Sequence, residues 1–219
     1  FLAHGPTAYS ELWKVSDKEI AGWEMMERTG LRPKDTPVYF YAQLSKPMDK
    51  VVSWREGRIE SNSNPERISG KNAGMAVRFK TEKDEKVMLK VAISYVSVEQ
   101  ARKNMLTELS GWDFEQVKQS SFSEWNDWLG RIEVEGGSRE QQIKLYTDLW
   151  HALLGRHVVS DADGHYMDMT SDFPRIRQIP LGEDGKPLYN HHNFDAWWGS
   201  HWSLNILWSM AYPEVMDNF

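Results

Sequence analysis

Apolar and polar residues alternate longest in VMLKVAISYV (87–96), where Val87, Leu89, Val91, Ile93 and Tyr95 share one face. A period of two predicts a strand of an antiparallel sheet, half-buried through that face. GMAVRF (74–79) alternates in the same way, PVYFYAQL (37–44) is rich in β-formers, and VVSWREGRIES (51–61) carries a Glu56-Gly57 turn between two short extended pieces. Only DKEIAGWEMMERTG (17–30) interrupts this stretch with helical spacing, and it predicts a helix ended by Gly30.

At Ser97 the period changes to that of a helix. SVEQARKNMLTELSG begins with Ser97 and Gln100 in capping-box spacing, aligns Val98, Ala101, Met105 and Leu109, and closes at Gly111. DFEQVKQSSFSEWNDWLG repeats the formula with Asp113 as cap, a face of Val117, Ser121, Trp125 and Trp128, and Gly130 as stop. RIEVE (131–135) predicts a short strand, and Ser138 with Gln141 opens a third helix whose stripe is Ile143, Tyr146, Trp150 and Leu153. His151 beside that stripe reads as a structural side chain. A long loop from about 156 to 195 follows, a length that tends to accompany function. The last helix is expected over Gly199 to Ala211, with Trp202, Ile206 and Met210 aligned.

With 219 residues the chain exceeds the common single-domain size of roughly 100–150, so two domains or parts of two are expected. It starts at Phe1, and Pro213-Glu214 reads as the first turn of a further helix, so an internal fragment is expected. The net charge of −6, with both signs interspersed, argues against a nucleic-acid surface or a basic membrane anchor. No apolar run approaches the ~20 residues that span a bilayer, and zero cysteines exclude disulfide and thiolate chemistry. Tryptophan is over-represented: of 11 in the chain, Trp197, Trp198, Trp202 and Trp208 fall close together. Such density serves a core or a sugar-stacking surface.

Two stretches carry candidate chemistry. SDADGHYMD (160–168) sets Asp161, Asp163 and Asp168 around Gly164 like the start of a calcium loop, but lacks the closing glutamate and reads better as a polar turn. HHNFDAWWGSHWS (191–203) places His191, His192 and Asp195 together without an HExxH or inverted zinc pattern. Its indoles, carboxylate and hydroxyls suit a sugar, whose C–H faces stack on indole while its hydroxyls need polar partners. Trp197 and Trp198 are therefore candidate substrate contacts, with Trp202 turned into the core. No GxSxG elbow, P-loop or GxGxxG is present, and a glycosidase carboxylate pair cannot be selected by spacing from 32 acidic residues.

VAISYVSVEQARKNMLTELSGWDFEQVKQSSFSEWNDWLGRIEVEGG, continued by KLYTDLWHALLGRHVVSDADGHY, resembles glycoside hydrolase family 92, the calcium-dependent exo-acting α-mannosidases. The resemblance implies an α+β chain in three parts. Residues 1–96 would belong to an antiparallel β-sandwich, 97–137 to a helical linker with one strand, and 138–219 to the start of an (α/α) six-fold barrel. It further implies an inverting mechanism on mannose-containing glycans, Ca2+ as cofactor with ligands outside this piece, and a periplasmic or extracellular home. No catalytic acid or base and no metal ligand is expected within these residues. One departure stands out: where the family carries a Trp-Asp-Thr motif followed by arginine, this chain reads Trp202-Ser203-Leu204-Asn205-Ile206. Either Asp195, His201 or Asn205 takes the place of the family's aspartate and arginine as a substrate contact, or the sugar or linkage preference differs, or catalysis is weakened; altered substrate specificity is the expected consequence. The competing expectation is a non-catalytic carbohydrate-binding protein on the same fold.

Overall fold

Eight strands lead the chain: β1 (Thr7–Ser16), β2 (Glu19–Met26), β3 (Thr36–Leu44), β4 (Lys50–Arg55), β5 (Arg58–Ile59), β6 (Arg67–Gly70), β7 (Gly74–Arg78) and β8 (Leu89–Ser94). After them come α1 (Val98–Glu108), α2 (Phe114–Leu129), α3 (Arg139–Leu154), β9 (His157–Val158), β10 (His165–Asp168), β11 (Arg175–Gln178) and β12 (His192–Asn193). The chain closes with α4 (Trp197–Ser200), α5 (Leu204–Ala211) and α6 (Pro213–Met216), the helix that Pro213 announces. This computed structural model describes residues 7–30, 34–60, 65–154, 157–193 and 197–218, with the side chains of Asn193, Trp197 and Trp198 left out. Its contacts define two compact units, 1–112 with 160–188, and 113–159 with 189–219.

In the first unit five strands form an antiparallel sheet in the order β6-β1-β2-β3-β8, and three form a second in the order β5-β4-β7. Segment 17–30 therefore holds strand β2, Glu19–Met26, rather than a helix. Gly22 is the physical reason: a Cβ there would lie 2.4 Å from the Glu11 carbonyl oxygen and 2.7 Å from the Phe40 ring. Only a glycine lets these strands and Phe40 close up, and glycine weakens a helix interior. The Glu56-Gly57 turn does join β4 to β5, both residues taking positive φ (48° and 75°), as a two-residue hairpin turn requires.

One cross-strand row, Trp13–Ala21–Tyr41–Ala92, lies beneath α1. Ala101 and Met105 of α1 complete that core, with Val98 and Leu109 at its border, as the stripe in the sequence predicts. The face expected inward on β8 is the outer one, because Leu89, Val91 and Ile93 are exposed while Lys90 and Ser94 are buried. The polar face can be buried because each group on it has a partner. Lys90 Nζ donates to the Leu109 carbonyl at 3.0 Å and stands 4.3 Å above the Trp112 ring, so its charge meets the carbonyl end of α1.

In the second unit Leu149, Leu153, Trp208, Tyr212 and Val215 form the core, and Trp125, Trp128 and Tyr146 pack around it. Tyr212 stacks on Trp128 and donates to its carbonyl at 3.0 Å, while Arg131 covers the Trp128 ring and pairs with Glu214 at 2.6 Å. The strand expected at 131–135 is not formed: Ile132 packs on the core instead, and its carbonyl accepts from Tyr146 Oη at 3.0 Å.

Candidate functional site

The two blocks that carry the family resemblance, SVEQARKN and SDADGHY, meet in the first unit. Asp161, 5% exposed, accepts from Asn104 Nδ2 at 2.8 Å and from Ser94 Oγ at 2.9 Å. Asn104 also accepts from the Ala162 amide at 2.9 Å and donates to the Ile93 carbonyl at 3.0 Å. Asp163 receives Gln100 Nε2 and Lys103 Nζ, and His165 Nδ1 lies 2.8 Å from it. Gln100 therefore does not close the capping box that its spacing suggests: Ser97 accepts from the Gln100 amide, but the Gln100 side chain reaches Asp163. Asp168 is held by the hydroxyl and amide of Thr170 and by Arg177 at 2.6 Å. The turn thus fastens a hairpin, β10 against β11, to α1 and β8.

Burial raises the Asp161 carboxyl above its ordinary value, against the lowering effect of Asn104 and Ser94, and nearby Asp163 raises it further. For Asp163 burial also acts upward, but Lys103, His165 and Gln100 together hold it far below the carboxylate range. The hydrogen bonds from Thr170, then Arg177, depress Asp168 in the same direction. A carboxyl depressed in the folded state stabilises above its unfolded pKa, near 4, and loses that contribution as pH falls; a raised one, Asp161, works in the opposite sense. Two depressed groups outweigh one raised group, so the hairpin is expected to loosen below about pH 4. Limited proteolysis across a pH series checks this: cleavage within 169–174 rises on acidification, and Asp163→Asn brings that susceptibility up toward neutral pH.

Of the sequence-predicted contacts, Asp195 lies outside the described residues, as do the side chains of Trp197 and Trp198, although their backbone forms α4. His201 is exposed, with its ring centroid 4.9 Å from that of Trp202. Asn205 sits in the first turn of α5, and its Oδ1 is buried without a hydrogen-bond donor. Ser203 is the N-cap of α5, yet its hydroxyl makes no capping bond. The helix expected over 199–211 is broken at 201–203, and Trp202 is 76% exposed rather than turned into the core. The inward side belongs to Trp208 and Tyr212, which have Leu149 and Leu153 to pack on.

Among the described residues, no group of three or more His, Asp or Glu side chains is placed to hold a metal ion. Asp161, Asp163 and Asp168 spend their oxygens on protein donors. These residues do not fit a calcium site. Sequence reasoning missed Ser94, Gln100, Lys103 and Asn104 as the partners of the aspartates. The signal was present in the two family-like blocks, but only folding brings them together.

Residues 2–94 match the glycosyl hydrolase family 92 N-terminal domain, and residues 100–219 match the family's catalytic domain. The chain belongs to glycosyl hydrolase family 92. Among solved structures it is similar to the family GH92 α-mannosidase BT3965 from Bacteroides thetaiotaomicron, at 25% identity and a TM-score of 0.80, over 95% of this chain and 27% of that one. The same α-mannosidase in complex with mannoimidazole matches at 24% identity and a TM-score of 0.76, over 92% and 25% of the two chains. The inverting mannosidase BT2199 from Bacteroides thetaiotaomicron VPI-5482 matches at 20% identity and a TM-score of 0.80, over 97% and 27%. The chain spans about a quarter of the length of these mannosidases. No curated protein matches it. Among the described residues no helix is long and apolar enough to cross a membrane.

Proposed function

We propose that the full-length polypeptide is an inverting, exo-acting α-mannosidase that hydrolyses α-mannosides of glycans in a periplasmic or extracellular setting. The observation that carries this reading is the succession of both family domains along one chain. A similar protein is described as an inverting mannosidase, and another was solved with mannoimidazole, a mannose-type ligand. In an inverting enzyme one carboxylic acid protonates the leaving oxygen and a carboxylate on the opposite face activates water, roughly 6.5–9.5 Å away. Neither is assigned to these residues; both belong to chain outside them, and so do the ligands of the proposed calcium ion.

What this chain contributes is the approach to the sugar. Asp195, Trp197, Trp198, His201 and Asn205 are proposed as substrate contacts at the start of the proposed (α/α) barrel. Ser203, in place of the family aspartate, offers a weaker acceptor and is proposed to shift the sugar or linkage preference. The full-length protein is expected to hydrolyse aryl α-mannosides or α-linked mannobioses, to release the inverted anomer first, and to stop when a chelator removes calcium. Release of the retained anomer would overturn inversion, and chelator-insensitive activity would overturn the calcium requirement.

A further inference from the structure

The sequence contains Asp-Gly twice, at Asp163-Gly164 and Asp184-Gly185, and the fold treats the two pairs oppositely. An aspartate followed by glycine is open to a reaction within its own backbone. The glycine nitrogen attacks the aspartate side-chain carboxyl carbon, and no Cβ on the glycine obstructs the approach. The attack needs a carboxyl free to turn toward the next amide and a backbone free to move with it.

Asp163-Gly164 has neither freedom. The Asp163 carboxylate, 17% exposed, is held by Gln100 Nε2 and Lys103 Nζ and lies beside His165 Nδ1. Gly164 is buried; its amide donates to the Asp161 carbonyl at 2.8 Å, and its carbonyl accepts from the Ile179 amide at 2.9 Å. A Cβ on it would lie 3.0 Å from the Pro187 ring. Side chain and backbone are thus both tied to residues distant in sequence.

Asp184-Gly185 stands at the tip of a hairpin turn. The Gly182 amide donates to the Lys186 carbonyl at 2.8 Å and the Gly185 amide to the Gly182 carbonyl at 3.0 Å. Gly185 takes a φ of 75°, so residues 183–185 form a hairpin loop with its glycine in the left-handed region. The Asp184 side chain is 64% exposed, and the bond it accepts, from the Lys186 amide at 3.0 Å, lies within the same turn. No heavy atom stands within 4 Å of a Cβ built on Gly185. Bonds that are local and at the surface open without disturbing the rest of the unit.

We propose that Asp184 is a site of spontaneous isoaspartate formation. The Gly185 nitrogen bonds to Asp184 Cγ, the carboxyl hydroxyl leaves as water with the amide proton, and a succinimide ring closes. Water then adds to the ring. Where the ring opens at the former backbone carbonyl, the main chain runs through Cβ and Cγ of residue 184, and a free α-carboxylate remains. The mass is unchanged, but the backbone gains a methylene in a turn whose Gly185–Gly182 bond depends on its length. The inference is independent of the mannosidase reading, and its test reads no activity.

The experiment ages the full-length protein in warm neutral buffer, native and in urea. Isoaspartate is read by isoaspartyl methyltransferase with labelled S-adenosylmethionine. It is placed by mass spectrometry of peptides from a protease that cleaves before aspartate but not before isoaspartate. The expected result is accumulation at 184 well ahead of 163 in the native protein, with the difference lost in urea. Asp184→Glu, whose longer side chain closes a ring far less readily, is expected to lose the native methylation signal. Equal accumulation at the two positions in the native protein overturns the proposal, and so does isoaspartate at 184 confined to the urea sample. Should Asp184→Glu fold poorly, the comparison of 184 with 163 in the unsubstituted protein decides alone.

Discussion

Asp161→Ala is expected to destabilise the 219-residue chain by about 2–4 kcal/mol, because each buried donor left without an acceptor costs about 1–3 kcal/mol. The side chain is 5% exposed and receives both Asn104 Nδ2 and Ser94 Oγ. Its loss leaves the Ser94 hydroxyl and one Asn104 proton without an acceptor, in a space that alanine does not refill. Asp161→Asn is expected to cost less, about 1–2 kcal/mol. Burial already raises the Asp161 carboxyl, so desolvation has taken back part of what its charge contributes, and an amide keeps one acceptor. Urea unfolding of the three proteins, with proteolysis of 160–188 as a local readout, checks the order. If Asp161→Ala leaves both unchanged, the turn does not fasten the hairpin to α1.

Much of the architecture was legible where local chemistry and burial agree. Ser97, Asp113 and Ser138 begin the first three helices, because a side-chain oxygen three residues before a free amide is a local device: each accepts from Gln100, Gln116 or Gln141. The Val98–Ala101–Met105 stripe was legible because only one side of α1 is apolar. Segment 17–30 was not, because the pairing of β2 with strands on both sides overrides its local spacing. Period alone gave the faces of β8 but not which of them is covered; Lys90 and Ser94 are inward through partners far along the chain.

The candidate site divides in the same way. The 191–205 junction stands out by residue type, and the structure adds that Asn205 Oδ1 is buried without a donor while His201 and Trp202 lie at the surface. The aspartates of SDADGHYMD stand out as well, but their role depends on which groups face them. Gln100 and Lys103 lie 63 and 60 residues from Asp163 in sequence, and no local pattern connects them. Once they are bonded, a calcium-like spacing becomes a fastening of protein to protein.

The second large effect distinguishes two tryptophans that sequence periodicity could not separate. Trp208→Ala in the 219-residue chain is expected to cost about 3–5 kcal/mol, the usual loss for a large buried aromatic. Trp208 is 0% exposed and lies among Leu149, Leu153, Tyr212 and Val215, so its removal opens a cavity at the centre of that core. Trp202→Ala, at a side chain 76% exposed, is expected to change stability by no more than about 0.5 kcal/mol. Helix geometry forces the choice: at 3.6 residues per turn, Ile206 and Met210 stand about 160–200° around α5 from Trp208. They are 57% and 81% exposed, and Trp202, just before α5 begins, is exposed as well. Both sides of α5 are apolar, so only the neighbours, Leu149 and Leu153 of α3, decide which one turns inward. Denaturant unfolding followed by far-UV circular dichroism measures the contrast. A larger loss from Trp202→Ala than from Trp208→Ala would mean that α5 presents its other side to the core.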